Sequence, residues 1–290
     1  MQTRQLGPFS VSAIGLGAMP FSLGRTPAPS EEQAVATVHA ALDAGVTFID
    51  TADIYAPSWD QMGHNERIVA TALRSYGDTS HVVVGTKGGI TRSEGEQWGR
   101  DGSPDYLRRA VEASLRALDV DVIDLYQWHR PDRWRVYGEV IQTLKDLQTE
   151  GKIRAVGISN ADVEEIDVAL EVLGEGGLAS VQNEFSPRFR SSRAELEHCG
   201  EHGIAFLPWS PLGGTGAACD VGATYPAFQD IGTERGVSPQ QVVLAWELSL
   251  GAHVIPIPGA SRPQSITDSA RAVDLQLSDE EVARIERQYT

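Results

Sequence analysis

An acid, a tyrosine, a lysine and a histidine occur where the sequence predicts the ends of buried strands. Asp50 and Tyr55 lie five residues apart in the stretch FIDTADIYAP. Lys87 ends the run HVVVGTK, and His129 ends the run VIDLYQWH. In one site, Asp50 and Lys87 would pair and offset the cost of burying each charge. Because a cation beside a phenol favours the phenolate, we expect Lys87 to lower the pKa of Tyr55 from about 10.

These residue types together suit proton delivery to a carbonyl group that another group attacks. A tyrosine with a lowered pKa can donate a proton to the carbonyl oxygen as negative charge develops there. His129 would hydrogen-bond the same oxygen and fix its orientation. Each residue taken singly has an ordinary structural role open to it, and Asp53 could simply bond its own backbone in a turn. The sequence shows no nucleophile beside a base and no metal-binding pattern, so no metal is expected.

Eight short apolar runs, rich in β-branched residues, alternate with longer amphipathic stretches. Most runs are apolar at both alternating positions, as in strands that are covered on both faces. They are residues 12–19, 46–52, 81–87, 122–129, 153–160, 179–185, 204–210 and 253–260. Stretches with serine starts or glycine ends predict helices between them. These are residues 30–45, 103–118, 136–152, 161–174, 191–203, 238–251 and 278–289.

This alternation predicts one α/β domain, a (β/α)8 barrel spanning residues 1–290. A doubly wound sheet is the alternative, and it would usually carry a glycine-rich dinucleotide loop after its first strand. The run GLGAMP has two of the glycines but then Met19 and Pro20. In a barrel the C-terminal strand ends meet at one mouth, and this would bring together Asp50, Tyr55, Lys87 and His129. Residues 88–103 and 212–228 are predicted to be long rim loops.

Composition excludes several classes of protein. The net charge of −16, from 24 basic and 40 acidic residues, argues against binding nucleic acid or an anionic membrane surface. One small anionic ligand remains compatible, since a few local basic groups suffice. Cys199 and Cys219 lie outside any CxxC pattern. No signal-peptide pattern or membrane-length apolar window is evident, so we expect a cytoplasmic protein. We also expect it to be a monomer.

Nearly the whole chain resembles the aldo-keto reductases. The segments that carry the resemblance are TRQLGPFSVSAIGLGAM, GVTFIDTADIYAPSWDQMGHNERIVATAL, VVVGTKGG, SLRALDVDVIDLYQWHRPD, VIQTLKDLQTEGKIRAVGISN, VQNEFSP, FLPWSPLGGTG and VIPIPGASRPQSI. The resemblance implies a TIM barrel with an N-terminal β-hairpin cap. It also implies reduction of a small-molecule aldehyde or ketone with NADPH, with NADH as a possible substitute and the reverse oxidation left open.

The resemblance implies roles for individual residues. Tyr55 would be the general acid, tuned by Lys87 and Asp50, while His129 orients the carbonyl. Ser159, Asn160 and Gln182 match positions that hold the nicotinamide carboxamide, and Trp209 matches an aromatic ring stacked on the nicotinamide. The loop from Ser210 to Gly213 matches the one that wraps the pyrophosphate.

The adenosine end departs from the family pattern. Ser265 and Ser269 stand where the family commonly has a basic or amide side chain and an asparagine, although Asp268 keeps the preceding acid. Arg262, in the segment PGASR, is the cation expected to meet the 2′-phosphate. The cofactor candidates are Gly17, Met19, Asp50, Ser159, Asn160, Gln182, Trp209, Ser210, Pro211, Leu212, Gly213, Gly259, Ser261, Arg262, Gln264, Ser265, Asp268 and Ser269.

Aromatic residues near the rim are candidates for the substrate pocket. Phe21, Trp59, Trp98 and Trp128 each lie on or just beyond a predicted strand end or rim loop. Trp128, directly before His129, is the strongest of them, and together they favour an apolar or aromatic carbonyl.

An alternative function is a cofactor-binding regulatory subunit of the channel β-subunit type. Such a subunit would need a partner surface, which the acidic composition disfavours.

Overall fold

The computed structural model describes residues 1–24, 27–132 and 134–289. The strands are β1 (Thr3–Leu6), β2 (Phe9–Ser12), β3 (Leu16–Gly17), β4 (Phe48–Asp50), β5 (Val83–Gly88), β6 (Ile90–Ser93), β7 (Gln97–Arg100), β8 (Ile123–Trp128), β9 (Ile153–Ser159), β10 (Leu178–Gln182) and β11 (Ala205–Phe206). Seven of them form a parallel sheet in the order β3-β4-β5-β8-β9-β10-β11. β1 and β2 form the predicted antiparallel hairpin.

The helices lie between the strands, as a (β/α)8 barrel requires. They are α1 (Glu31–Asp43), α2 (His64–Tyr76), α3 (Pro104–Leu118), α4 (Tyr137–Thr149), α5 (Val163–Leu173), α6 (Arg193–Glu201), α7 (Val221–Thr224), α8 (Pro226–Arg235), α9 (Pro239–Ser249), α10 (Pro263–Ala270) and α11 (Asp279–Glu286). No helix in the described ranges is long and apolar enough to span a membrane.

The eighth predicted strand, residues 253–260, closes the barrel without forming a regular strand. Isolated parallel bridges join this segment to β11 on one side and to β3 on the other. The carbonyl groups of Pro256 and Pro258 accept hydrogen bonds from the N–H groups of Gly15 and Gly17, at 2.9 and 3.0 Å. A proline has no N–H to donate in return, so the ladder is one-sided at this seam.

Alternation along the strands separates the barrel interior from the helix-facing layer. The interior cluster combines residues of the hairpin with residues from the strands and the closing segment: Leu6, Val11, Phe48, Val83, Leu125, Ala155, Ala179, Ala205, Leu207, Ile255 and Ile257. The hairpin therefore closes one end of the barrel. Because side chains alternate in direction, Asp50, two residues after Phe48, and Gln127, two residues after Leu125, also point inward. Polar groups thus follow the apolar layer toward the C-terminal strand ends.

All seven predicted helices form, and the described residues form four further helices that were not predicted. The serines before α1, α3, α9 and α11 each accept a backbone N–H, as their sequence patterns indicated. The four additional helices are α2, α7, α8 and α10, and none of them has a side-chain cap at its start. A search that depends on capping patterns therefore misses them.

The two predicted rim loops are both more regular than expected. Residues 88–103 contain the antiparallel hairpin β6–β7, in which Ile90 pairs with Arg100. Its turn is possible because Gly95 and Glu96 adopt positive φ angles of 74° and 58°. The stretch 212–228 contains α7 and the start of α8.

Candidate active site

A cavity of about 770 Å³ opens at the C-terminal ends of the strands, the end at which barrel enzymes carry their active sites. Its volume suits a small ligand or part of a cofactor. The four candidate catalytic residues identified in the sequence all lie at this cavity. Asp50, Tyr55 and His129 line its wall. Lys87 is fully buried directly behind them. Strands β4, β5 and β8 therefore bring these side chains together as the sequence predicts.

Lys87 is the centre of a buried hydrogen-bond network. Its Nζ donates to Oδ2 of Asp50 at 2.7 Å, to the carbonyl of Thr51 at 2.9 Å and to Oη of Tyr55 at 3.5 Å. The same ammonium lies 5.2 Å from the centroid of the Tyr55 ring. The side chain of Lys87 is inaccessible to solvent and that of Asp50 is 4% exposed. The predicted pairing of Asp50 with Lys87, and the contact of Lys87 with Tyr55, are thus present in the structure.

Two glutamines hold the other carboxylate oxygen of Asp50. Nε2 of Gln182 donates to Oδ1 of Asp50 at 2.8 Å, and Nε2 of Gln127 donates to the same atom at 3.3 Å. Gly157 makes room for Gln127, because a Cβ at this position would lie 2.8 Å from Cγ of Gln127. Gln127 was not identified from the sequence, where an amide in the middle of a strand gives no chemical signal.

The predicted sign of the pKa shift at Tyr55 is wrong. Burial raises the pKa of Tyr55, and the attraction of Lys87 opposes this effect without reversing it. Burial alone would lower the pKa of Lys87, but the carboxylate of Asp50 and the Tyr55 oxygen raise it above its usual range. At neutral pH the site therefore contains an ammonium group beside a protonated phenol.

His129 is a neutral imidazole at neutral pH. Burial lowers the pKa of His129 well below its usual value, and the charges of Lys87 and Arg130 lower it further. Its ring is nearly perpendicular to that of Tyr55, with 5.7 Å between the centroids. Its buried Nδ1 has no hydrogen-bond partner among the described residues. A neutral imidazole can donate one hydrogen bond, which suits contact with a carbonyl oxygen near the Tyr55 hydroxyl.

The amide groups on the cavity wall leave acceptors for the carboxamide of a nicotinamide. Nδ2 of Asn160 donates to the carbonyl of His129 and to Oγ of Ser159, at 3.0 and 2.9 Å. Nε2 of Gln182 donates to Asp50. The side-chain oxygens of Asn160 and Gln182 receive no hydrogen bond from the part of the chain that is described. Trp209 lines the same cavity and presents a flat ring. These donors and acceptors fit the predicted cofactor.

The loop after β11 offers backbone N–H groups to an anion. Ser210, Gly213, Gly214 and Gly216 have positive φ angles of 53°, 87°, 92° and 93°, respectively. Backbone that alternates between the two helical hands turns successive N–H groups toward one side and makes an anion-binding concavity. The N–H groups of Leu212, Gly214 and Thr215 donate to no residue within the described ranges. This arrangement fits a pyrophosphate.

The structure separates the cofactor candidates into two groups. Those that line the cavity are Gly17, Met19, Asp50, Ser159, Asn160, Gln182, Trp209, Ser210, Pro211, Leu212 and Gly259. Those outside its wall are Gly213, Ser261, Arg262, Gln264, Ser265, Asp268 and Ser269. The carboxylate of Asp268 accepts hydrogen bonds from Ser238 and Gln241, at 2.6 and 2.5 Å, and so joins α10 to α9. Arg262 is exposed, and its Nε donates to Oγ of Ser265 at 3.1 Å.

Of the four aromatic substrate candidates, the structure places only Trp98 on the cavity wall. Trp128 is 1% exposed and packs against Tyr137 in the layer between the sheet and the helices. It lies one residue from the inward-facing His129, and alternate residues of a strand face opposite sides. Phe21 is buried in the cluster beneath α1 and α2, and Trp59 lies outside the cavity. The expectation of an aromatic-walled pocket for an apolar or aromatic carbonyl therefore loses most of its support.

Two arginines on the cavity wall were not identified from the sequence. Arg130 directly follows His129, and Arg100 belongs to the rim hairpin β6–β7. The position of Arg130 next to a strand-end histidine was a signal that could have found it. Arg100 had no such signal, since its stretch was interpreted as an irregular loop. Ile54 and Ile90 supply an apolar part of the same wall.

Asp53 is a buried acid behind the site and not the simple turn residue that was considered. It is 3% exposed, and neither carboxylate oxygen has a hydrogen bond of ordinary geometry to the described part of the chain. Burial, and then the charge of Glu66, raise the pKa of Asp53 well above its usual value. The folded state thus holds a proton here that the unfolded chain releases near pH 4.

We expect Asp53 to make stability fall as pH rises. Below its unfolded pKa near 4, both states are protonated, while above it the unfolded state gains by ionising, with a slope of up to about 1.4 kcal/mol per pH unit until the folded pKa is reached. Asp53→Asn should remove this slope, so the variant gains free energy of unfolding relative to the wild type as pH rises above about 4. Urea unfolding across this range measures the effect. The exposed Asp60→Asn should keep the wild-type slope, and parallel curves for Asp53→Asn would contradict the assignment.

Comparison with known proteins is consistent across sequence and structure. A model of the Aldo/keto reductase family matches residues 13–289. A 6-dehydroglucose reductase of Novosphingobium aromaticivorans is 36% identical over 284 residues, which cover 94% of this chain and 90% of that relative. A glycerol dehydrogenase from Gluconobacter oxydans has a TM-score of 0.83 at 28% identity, covering 98% of this chain and 94% of that one. An aldo/keto reductase from Klebsiella pneumoniae in complex with NADP and acetate has a TM-score of 0.82 at 30% identity, covering 99% and 95%.

Proposed function

Because the chain belongs to the aldo/keto reductase family, we propose that it is an NAD(P)H-dependent enzyme that reduces an aldehyde or ketone, with Tyr55 as the proton donor. The observation that carries this proposal is the convergence of Asp50, Tyr55, Lys87 and His129 at one cavity. A cytoplasmic monomer is part of the same proposal, and size-exclusion chromatography tests its oligomeric state.

The reduced nicotinamide supplies a hydride when it is bound. The side chains of this chain manage the proton and the orientation of the carbonyl. Tyr55 keeps its phenolic proton through neutral pH, because burial raises its pKa, and it donates this proton to the carbonyl oxygen. His129, held neutral, donates a hydrogen bond to the same oxygen and directs it toward the tyrosine.

Lys87, held by Asp50, stabilises the phenolate that forms when Tyr55 gives up its proton. As the proton leaves Tyr55, the phenolate that forms lies beside the ammonium of Lys87, whose attraction stabilises the new charge. Asp50 keeps Lys87 protonated and fixed, and the two glutamine amides fix Asp50. Because the phenol is protonated at neutral pH, Tyr55 can donate the proton that reduction of a carbonyl group requires there.

The residues around the cavity support NADPH as the cofactor. Asn160 and Gln182 would hold the carboxamide, Trp209 would stack on the nicotinamide, and the N–H groups after Ser210 would hold the pyrophosphate. The Klebsiella pneumoniae relative was crystallised with NADP, which agrees with this assignment. The names of the other two relatives concern a sugar aldehyde and a polyol, so hydroxylated carbonyl compounds belong in any substrate panel.

We expect Arg262 to select NADPH over NADH. Arg262→Gln should raise the Kd of NADPH by about tenfold or more, the effect of losing one charge-assisted hydrogen bond to the 2′-phosphate, and leave that of NADH unchanged. Titration of nicotinamide fluorescence measures both constants. Arg271→Gln, at the other end of α10, is the matched control. A loss of NADPH affinity in that control alone would show that Arg271, and not Arg262, contacts the 2′-phosphate.

The proposed activity is tested by mixing the protein, NADPH and a panel of aldehydes and ketones. Oxidation of the nicotinamide, followed by absorbance, should depend on both protein and carbonyl compound. Binding of NADPH without turnover of any member of a broad panel would instead favour a regulatory role for the barrel.

A further inference from the structure

We propose that Arg130 anchors an anionic group of the substrate, so that the site is built for aldehydes or ketones that also carry a carboxylate or a phosphate. This inference rests on the proposed carbonyl reduction and adds the class of substrate to it. Arg130 directly follows His129 at the C-terminal end of β8, and both residues line the cavity. An anion held by Arg130 would therefore belong to the same small molecule as the carbonyl group that meets Tyr55.

The N–H donors of the Arg130 guanidinium have no acceptor among the described residues. The residue is partly buried, yet no hydrogen bond or ion pair joins its side chain to any residue in the described ranges. A guanidinium carries five N–H donors in a planar fork that matches a carboxylate or a phosphate. Other arginines of partial exposure in this protein are paired: Arg190 contacts Glu286 at 2.6 Å, and Arg284 contacts Glu234 at 2.8 Å. Arg130 is instead left open toward the cavity.

A second guanidinium stands on the same wall. Nη1 of Arg100 donates to the carbonyl of Pro131 at 3.1 Å, which ties the hairpin β6–β7 to the segment after Arg130. Burial lowers the pKa of Arg130, and repulsion from Arg100 lowers it further, so the two charges are close enough to disfavour each other. An anion bound beside both would relieve this repulsion and gain charge-assisted hydrogen bonds.

The nearby acid does not neutralise this arrangement. Glu184 raises the pKa of Arg130, but the two side chains form no ion pair, and the carboxylate of Glu184 is also attracted by Arg188. Tyr55 and Arg130 line the same cavity, so the guanidinium shares the wall that carries the proton donor. Within the described part of the chain, the charged groups that act on Arg130 are thus Arg100 and Glu184, whose carboxylate is shared with Arg188.

The arginines contrast with the charge of the whole chain. With a net charge of −16, the protein repels anions at long range, and solubility does not require positive charge at this mouth. Ile54 and Ile90 pack beside Tyr55 on the same wall, and they suit a short apolar linker between the anion and the carbonyl. The combination points to a short chain with an oxo group at one end and an anion at the other.

The test compares carbonyl compounds that differ in charge. The pairs are 4-oxobutanoate with butanal, and glyceraldehyde 3-phosphate with glyceraldehyde. The wild type should prefer at least one anionic member in kcat/KM. Arg130→Gln should lower kcat/KM for that member by about 10- to 100-fold, as expected for lost charge-assisted hydrogen bonds, with little change for its neutral partner. Arg130→Lys should recover part of the loss, since it restores charge without the planar fork.

Controls separate this inference from the proposed function. Arg108→Gln removes an exposed arginine on α3 and should leave both preferences unchanged. Binding of succinate to the NADP complex, measured by calorimetry in the wild type and Arg130→Gln, reports the anion site without turnover. Absence of turnover with Arg130-dependent succinate binding would refute carbonyl reduction and keep the anion site. No anionic preference, equal losses for both members of a pair, or a loss of NADPH affinity in Arg130→Gln would each overturn the inference.

Discussion

Replacing Tyr55 with phenylalanine should lower kcat for carbonyl reduction by about 100- to 10,000-fold, the contribution expected of a positioned general acid. The change removes only the hydroxyl that Lys87 contacts at 3.5 Å. The ring keeps its place beside His129, so the cavity and its cofactor-binding residues remain intact. Steady-state kinetics with NADPH and the best carbonyl substrate of the panel measure the loss.

Cofactor binding separates a chemical role of Tyr55 from a structural one. The Kd of NADPH in Tyr55→Phe should stay within about threefold of the wild type, because the ring volume and packing are conserved. The matched control is Tyr76→Phe, which removes a hydroxyl bonded to Asp43 on the outer surface at 2.8 Å. Loss of NADPH binding together with turnover in Tyr55→Phe, or comparable turnover in the two variants, would contradict the role of proton donor.

The pH dependence follows from the corrected sign of the pKa shift. A tyrosine whose pKa is raised by burial stays protonated through neutral pH, so reduction should show no loss of rate from this group until the pH exceeds about 10. Had the attraction of Lys87 outweighed burial, as the sequence suggested, the loss of rate would begin at a lower pH. The difference arises because the sequence shows which charges are neighbours but not how completely Tyr55 is removed from water.

The positions of the strand-end residues could be predicted because they depend on two simple regularities. Parallel strands of a closed barrel bring their C-terminal ends to one mouth, and alternate residues of each strand face the interior. Asp50, Lys87 and His129 satisfy both conditions, and the sequence alone brought them together. The same regularity explains why Trp128 lies off the cavity wall, since one step along β8 turns a side chain from the cavity to the helices.

Other parts of the site depend on contacts between segments that are distant in sequence. Gln127 matters because Gly157, on the next strand, leaves space for its side chain. Arg100 reaches the cavity only because residues 88–103 form a hairpin tied to Pro131. The closing segment is irregular because prolines remove two donors at the seam with β3. None of these contacts has a local pattern that a sequence could reveal.

The second large effect is expected at the buried ion pair of Lys87 and Asp50. Lys87→Met would leave the carboxylate of Asp50, which is 4% exposed, without its cation. Breaking one partner of a buried pair costs about 3–5 kcal/mol in free energy of unfolding, because an uncompensated charge remains in a poorly solvated site. Urea unfolding of Lys87→Met should show this loss, and kcat should fall together with it, since Tyr55 loses the cation that stabilises its phenolate.

A double-mutant cycle distinguishes the pair from the packing of the lysine. The double variant Lys87→Met with Asp50→Asn removes both charges of the buried pair, so it should regain a large part of the stability that Lys87→Met loses, while its kcat stays low. The exposed pair of Arg108 and Glu150, joined at 2.6 Å, is the matched control, and Arg108→Met should cost less than about 1 kcal/mol. If Lys87→Met cost no more than Arg108→Met, or if Asp50→Asn added to the loss, charge pairing would not be what holds Lys87 against Tyr55. Recovery of stability without recovery of activity would assign Lys87 separate roles in the fold and in the chemistry.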